Sequence, residues 1–335
     1  MGASTSWPAG ACLVTGCAGF VGGHLTEALL ALGAEVAGVD DFSTGRRENM
    51  EGFANHPKFH FLERDILEPD WLGEVSQNLS NVMHVFHLAA VVSVAYSMDH
   101  ETETLETNYK ASIELYNQAV KNGVRSFVFA GSAAEYGDEY RLPIKEEYAQ
   151  NRTIQLSPYG RSKYLASRHI VGAEFGCSLR CFNIYGPRQD PSSPYSGVIS
   201  RFLLQATHQE PLTILGAGDQ TRDFIYVADV VRAYLLAAGL GPAAGDPLVG
   251  AFNVGSGRRL SIQELAKTVN KITGNPAGLT HLPPRPGDVL HSLADVSKLE
   301  QATGFKAETM LETGLEATWR AANPSDSDLT GSKGF

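Results

Sequence analysis

The run Ser157-Pro-Tyr159-Gly-Arg-Ser-Lys163 places a phenol and an ammonium four residues apart. On a helix that spacing puts both on one face, one turn from each other. Pro158 stands where a helix can begin. A free phenol has a pKa of about 10 and is a poor base at neutral pH, and a cation one turn away favours its phenolate and lowers that pKa. The pair therefore reads as a proton-transfer device acting on an alcohol or a ketone. Tyr and Lys at this spacing also occur on many exposed helices, so the pair needs its surroundings to carry meaning.

A second constellation supplies them. Ala11-Cys-Leu-Val-Thr15 reads as a short buried strand, followed by Gly16-Cys-Ala-Gly19-Phe-Val-Gly22, an apolar-periodic helix over 25–32, and a strand over 35–40 ending in Asp40 and Asp41. Strand, glycine turn, helix, strand and acid in that order form a dinucleotide-binding βαβ unit. Its glycines keep the turn tight and let the backbone approach a pyrophosphate at the helix N-terminus. Asp40 would accept hydrogen bonds from the adenosine ribose. Two aspartates would repel a 2′-phosphate, which favours NAD over NADP. Arg46 and Arg47 speak the other way, but they lie beyond the strand end.

The elements that must position these groups follow along the chain. Strands are expected over 59–62, with Asp65 and Ile66 at the end, over 81–90 and over 126–132. The last delivers Ser132 at its carboxyl end, where ligands bind in a doubly wound α/β sheet, so Ser132 and Tyr159 could meet there. A helix is expected over 104–122. His87, at the end of an apolar strand, reads as a packed, hydrogen-bonded residue and not as a base. Beyond Tyr185 the punctuation becomes turn-rich, with helices over 198–209 and 227–238, a loop over 239–247 and a short strand at Phe252. Ser261 and Glu264 form a capping-box pattern. The fold class is α/β: a Rossmann-type doubly wound parallel sheet with a smaller C-terminal region. The expected division is 1–185 for the NAD-binding domain, 186–321 for a substrate region with some segments returning to the first domain, and 322–335 for a polar tail.

Composition sets outer limits. The 335 residues allow one large or two modest domains, and 43% hydrophobic content gives ample core. A net charge of −10 argues against general nucleic-acid binding and requires a local basic cluster for any anionic ligand. No apolar run is long enough to cross a membrane, and the first ten residues lack the basic region of a secretory signal. Met1-Gly2-Ala-Ser-Thr-Ser6 fits a loose N-myristoylation pattern, with a disordered leader as the plainer reading. Cys12, Cys17, Cys177 and Cys181 read as reduced thiols of a cytoplasmic protein, since the last two would lie too far apart along a strand to pair. No zinc-ligand spacing is present, so no metal is expected.

Thr15-Gly-Cys-Ala-Gly-Phe-Val-Gly22, Ser132, Tyr159-Gly-Arg-Ser-Lys163, Arg180-Cys-Phe-Asn183, Arg222-Asp-Phe-Ile-Tyr-Val-Ala-Asp229 and Arg285-Pro-Gly-Asp288 together resemble the extended short-chain dehydrogenase/reductase family. The branch looks like its NAD-dependent nucleotide-sugar epimerases and dehydratases. The resemblance implies that Gly16, Gly19, Phe20, Val21 and Gly22 line the pyrophosphate. It places Asp40 on the ribose with Asp41, Ser43, Thr44 and Gly45 close by, and Asp65 and Ile66 beside the adenine. Leu88, Ala89, Ala90 and Asn108 would line the path to the nicotinamide. Tyr159 would be the acid/base, Lys163 its activator and ribose ligand, and Ser132 a hydrogen-bond partner of the sugar hydroxyl. Asn183, Arg222, Arg285 and Asp288 match positions that hold the nucleotide of a UDP-sugar. Arg forks suit a diphosphate on physical grounds as well, although Arg222 could equally pair with Asp223 at the surface. The resemblance also implies a homodimer through the helices at Thr104 and Tyr159.

The residues after Ser132 bear on the reaction. Dehydratases of the resembled family carry an Asp-Glu pair one and two residues past this position, and the related decarboxylases carry the Glu. Here Ala133 and Ala134 stand there. Elimination needs an acid and a base at neighbouring carbons, and alanines supply neither. Glu135 would point to the opposite face if the chain is still extended, yet it keeps a carboxylate near the site. The reading is C4 epimerisation of a UDP-hexose through a transient 4-keto sugar. The alternatives are a UDP-glucuronate 4-epimerase or decarboxylase, a 4,6-dehydratase or a 4-keto reductase on the same scaffold. A steroid-type dehydrogenase, or a non-catalytic NAD-binding regulator, stands further off. The stretch 189–198 resembles epimerases for UDP-N-acetylhexosamines, and the sugar stays open.

Overall fold

The structure, a computed structural model, describes residues 10–79, 81–172, 175–190, 197–241, 245–284 and 289–323. The first half runs β1 (Ala11–Thr15), α1 (Phe20–Ala31), β2 (Val36–Asp40), β3 (Phe59–Glu63), α2 (Trp71–Asn78), β4 (Val82–His87), α3 (Val94–Asp99), α4 (Glu101–Leu105), a π-helical stretch Glu106–Ala111, α5 (Ser112–Lys121), β5 (Ser126–Ser132), a 3₁₀ turn Ala133–Tyr136 and α6 (Pro158–Gly172). The second runs β6 (Cys177–Cys181), β7 (Asn183–Tyr185), α7 (Val198–Thr207), β8 (Leu212–Leu215), β9 (Thr221–Arg222), β10 (Phe224–Tyr226), α8 (Val227–Ala237), β11 (Gly250–Val254), β12 (Leu260–Ser261), α9 (Ile262–Thr273), β13 (Leu279–Leu282), α10 (Ser297–Thr303) and α11 (Leu311–Ala322).

Seven parallel strands form one sheet in the order β11-β6-β5-β4-β1-β2-β3. Central parallel strands must be apolar on both faces, and β1 and β2 are buried at every position. One face is covered by α1 and α8, whose Leu25, Leu29, Val230 and Tyr234 pack with Phe86 and Val128. The other is covered by α2, α5 and α6, where Trp71, Leu115, Tyr116 and Ile170 meet Phe127 and Phe129. A separate core of Phe202, Leu203, Ile214, Leu265, Val269 and Leu315 holds the later helices and short strands together.

The strand order reverses between β1 and β4, and in open α/β sheets that switch point makes the ligand crevice. The loops after β1 and β4 therefore flank it, with the end of β5 next along. Helix α1 starts at Phe20, five residues before the periodicity suggests, because the glycines of its first turn break the apolar pattern without breaking the helix. The Ser261–Glu264 capping box forms as its spacing predicts. The helix expected over 104–122 is interrupted by the π-helical stretch, and β11 and α8 return from the second half to complete the sheet and its cover. Among the described residues, no helix is long and apolar enough to cross a membrane.

Candidate active site

Gly16 leaves β1 at φ +74°, a left-handed conformation that favours glycine. A Cβ on Gly22 would lie 1.9 Å from the Gly16 carbonyl oxygen, and one on Gly16 would lie 2.8 Å from the Ala89 nitrogen. The turn is thus pressed between the first turn of α1 and the loop after β4. No side chain caps α1 and no acidic residue lies in its first turn. The N–H groups of Phe20, Val21 and Gly22 have no intrahelical acceptor and present the positive end of the helix dipole. That cradle fits a dinucleotide pyrophosphate.

Asp40 is buried at the end of β2. Its Oδ2 accepts from the Ala18 amide and its Oδ1 from the Phe42 amide, each at 2.9 Å. Burial raises its pKa, and these two bonds oppose the rise. A carboxylate has about four acceptor positions, so it holds the glycine loop and keeps capacity for a ribose hydroxyl. Gly45 lets the next loop fold over it, since a Cβ there would meet Asp40 Oδ1 at 2.5 Å. Asp41 is exposed and accepts from the amide and hydroxyl of Ser43, and Thr44 beside it is also exposed. Asp65 accepts from the Leu67 amide, and Ile66 packs against the core under β3. Arg46 pairs with Asp190 and Glu48, and Arg47 with Glu63, so both guanidinium groups are engaged with carboxylates. At the loop after β4, Leu88 and Ala89 donate to Thr15 Oγ1, and the fully buried Asn108 holds Val91 by both its N–H and its carbonyl. Asn108 Nδ2 also reaches Ser162 Oγ at 3.1 Å, which ties this loop to α6.

Ser132, Tyr159 and Lys163 come together where β5 ends against α6. The Ser132 side chain lies close enough to the Tyr159 phenol to favour its ionised form. Tyr159 is half-buried as a residue, but protein surrounds its hydroxyl, and burial pushes its pKa up to about 12 against the lowering effect of Ser132. This reverses the direction that the Tyr-Lys spacing suggests. Lys163 is itself buried, with Nζ 4.8 Å from the centre of the Phe129 ring, and burial brings its pKa down to about 8. Desolvation is the largest cause of both shifts. His87 is fully buried between Thr15 Oγ1 at 2.7 Å and Ser112 Oγ at 2.8 Å, and burial, then Lys163, holds its pKa near about 3. It is the packed residue its position suggests.

Glu135 is not where an extended chain would put it. The backbone turns into a 3₁₀ helix straight after Ser132. Glu135 Oε1 accepts from the Ser132 amide at 2.9 Å, and Oε2 pairs with Arg180 Nε at 2.6 Å, with both side chains buried. Ala133 and Ala134 remain the residues immediately following Ser132.

Of the residues expected to hold the nucleotide, Asn183 in β7 donates from Nδ2 to the Asp223 carbonyl at 3.0 Å, and Arg222 donates to the carbonyls of Thr221 and Leu290. Asp223 is fully buried and accepts from the Ser256 amide and hydroxyl, the Gly257 amide and the Ala294 amide. Sequence reasoning offered Asp223 as a surface partner for Arg222 and missed this buried hub; its one signal was an acid at the head of the apolar run 224–228. Arg285, Asp288 and most of the stretch 189–198 lie outside the described residues, as does the N-terminal acylation pattern. All four cysteines are free and buried. Among the described residues, no cluster of three or more His, Cys, Asp or Glu could hold a metal ion.

The family model described as the NAD dependent epimerase/dehydratase family matches residues 12–255. A UDP-glucose 4-epimerase of Mycolicibacterium smegmatis is 34% identical over 312 residues, covering 91% of this chain and 96% of that one. The crystal structure of a Thermotoga maritima UDP-glucose 4-epimerase with UDP-glucose superposes with a TM-score of 0.84 at 34% identity, covering 93% of this chain and 98% of that one. A Thermus thermophilus UDP-glucose 4-epimerase in complex with NAD gives 0.81 at 30% identity, covering 94% and 100%.

Proposed function

The chain belongs to the NAD-dependent epimerase/dehydratase family, and from that premise we propose that it is an NAD-dependent UDP-hexose 4-epimerase. The observation that carries this reading is the reacting cluster itself. Ser132, Tyr159 and Lys163 converge beside the cofactor crevice, while the positions that would carry an acid/base pair for elimination hold Ala133 and Ala134, and the nearby Glu135 is engaged by Arg180. The glycine cradle fits NAD, and the pairing of Arg46 and Arg47 with carboxylates favours it over a cofactor with a 2′-phosphate.

NAD, when bound, supplies reversible hydride acceptance at C4 of the sugar. The chain's own residues do the rest. Gly16, Gly19, Phe20, Val21 and Gly22 hold the pyrophosphate, and Asp40 holds the ribose, with Asp41, Ser43, Thr44 and Gly45 around it and Asp65 and Ile66 beside the adenine. Leu88 and Ala89, held by Thr15, together with Ala90 and with Asn108, which holds the neighbouring Val91, line the approach to the nicotinamide. Tyr159 takes the proton of the 4-hydroxyl and gives it back. Ser132 hydrogen-bonds the same oxygen. The charge of Lys163, together with that of the oxidised cofactor, opposes the burial that holds Tyr159 in its neutral form. Asn183, Arg222, Arg285 and Asp288 hold the UDP end while the 4-keto sugar turns its other face. We place the enzyme in the cytoplasm as a homodimer through the helices at Thr104 and Tyr159.

Incubation with UDP-glucose, UDP-N-acetylglucosamine and UDP-glucuronate, with the products resolved, tests the reading. The expected result is a 4-epimer of a neutral or N-acetylated hexose, no net reduction of NAD and no carbon dioxide. A 4-keto-6-deoxy sugar or a pentose as the main product would replace it with a dehydratase or a decarboxylase.

A further inference from the structure

The turn after β5 carries a polar assembly that the reaction above does not use. Glu135 is fully buried, Arg180 almost so, and neither faces solvent. Glu135 reaches back three residues to the Ser132 amide, while Ser132 Oγ accepts from the Ala134 amide at 3.2 Å. These reciprocal bonds fix the Ser132 side chain and leave its hydroxyl proton free to be donated. Arg180 is fixed in turn: Nη1 donates to the Tyr136 hydroxyl at 3.2 Å and to the Glu146 carbonyl at 2.9 Å. Tyr136 then donates to Asn253 Oδ1 at 2.5 Å, which joins the turn to β11. Two glycines make room for the device. A Cβ on Gly131 would lie 2.8 Å from Glu135 Oε1, and one on Gly160, next to Tyr159, would lie 2.7 Å from the Ala134 carbonyl oxygen. The turn is therefore wedged between β5 and the helix that carries the phenol.

We infer that Glu135, held by Arg180, is the positioning residue of the reacting cluster: it sets the Ser132 hydroxyl against Tyr159 and places one buried negative charge beside Tyr159 and Lys163. This rests on the epimerase reading and gives Glu135 a role other than proton donor to a sugar. Each oxygen of its carboxylate already has a protein partner, one the Ser132 amide and the other a guanidinium. The other titratable groups around the phenol are Lys163 one turn along α6, Cys181 from β6 and Tyr234 from α8, and His87 from β4 faces Lys163.

Two substitutions separate reach from charge. Glu135→Asp keeps both charges and shortens the side chain, so the Ser132 amide loses its acceptor. The expected kcat for a UDP-hexose is lower by at least about tenfold, with KM within about twofold, bound NAD unchanged and the acid limb of the pH profile unmoved. Glu135→Gln keeps an acceptor and removes the charge, so the acid limb should move to lower pH, because a phenol without an anion beside it ionises more easily. Should the Gln variant fail to fold with Arg180 left unpaired, the Asp variant still decides. A Glu135→Asp rate within about twofold of wild type, or a folded Glu135→Gln variant with an unmoved limb, would overturn the inference. A wild-type chain that epimerises no UDP-hexose would overturn the function reading instead.

Discussion

At the residue scale, the phenol and the ammonium of α6 are shifted by the same force in opposite directions. Burial makes each resist its charge, Tyr159 at about 12 and Lys163 at about 8. Tyr159→Phe keeps the ring that packs and removes the group that exchanges the proton. It should fold, retain NAD and lose turnover by about 10²- to 10⁴-fold, as read from initial rates with a UDP-hexose. Lys163 has a stability consequence. Its folded pKa of about 8 lies below the 10.5 of an exposed lysine. Below about pH 8 it is charged in both states and the folded state bears the desolvation, while above 10.5 it is neutral in both and the difference vanishes. Lys163→Met should therefore stabilise the cofactor-stripped protein at pH 7 by roughly 1–3 kcal/mol and abolish activity, with the gain shrinking as pH rises toward 10.5. Denaturant unfolding at pH 7 and pH 10 checks both halves, and an equal gain at the two would contradict the assignment. The pair was legible in the sequence because spacing alone puts two side chains on one helical face. The direction of their pKa values was not, because desolvation depends on what closes over them.

At the scale of elements, the glycine turn sets the geometry. Gly22→Ala would drive a methyl group to 1.9 Å from the Gly16 carbonyl oxygen. The turn or α1 must move, at a cost of about 1–3 kcal/mol, and the purified variant should carry little or no NAD by absorbance after denaturation. Full NAD occupancy would show that the close approach does not matter. The seven main strands were readable, apart from the first residues of some and the extent of others, because buried parallel strands are short apolar runs between turn signals. Two devices were not. The π-helical stretch around Asn108 has no periodicity of its own within a helical pattern, and its register is fixed by the bonds of Asn108 to Val91 and Ser162. In the 3₁₀ turn after Ser132 the fold-back of Glu135 has the same Ser-x-x-Glu spacing as Ser261 and Glu264, but its pairing with Arg180, 45 residues beyond Glu135, is out of reach of local sequence.

At the scale of the whole molecule, the proposed function has the second half of the chain contribute to both ends of the reaction. β11 and α8 finish the sheet that supports the cofactor crevice, and β7, β9 and β10 present Asn183 and Arg222 around the buried Asp223. Holding and reacting are therefore separable. Arg222→Ala should raise the KM for a UDP-hexose and the Kd for UDP by about 10- to 100-fold, as loss of a charge-assisted hydrogen bond to phosphate predicts, while bound NAD stays unchanged. Calorimetric titration with UDP checks this, and an unaltered Kd would remove Arg222 from the nucleotide site. The central claim is that hydride leaves C4 and returns to C4 within one closed site, with no acid/base pair at Ala133 and Ala134 to divert the keto sugar. The most direct measurement is mass spectrometry of the product from a UDP-hexose carrying deuterium at C4, after many turnovers. The account predicts a 4-epimer that retains its deuterium and its full hexose mass. Washout of the label into solvent, or loss of 18 mass units from the hexose, would contradict it.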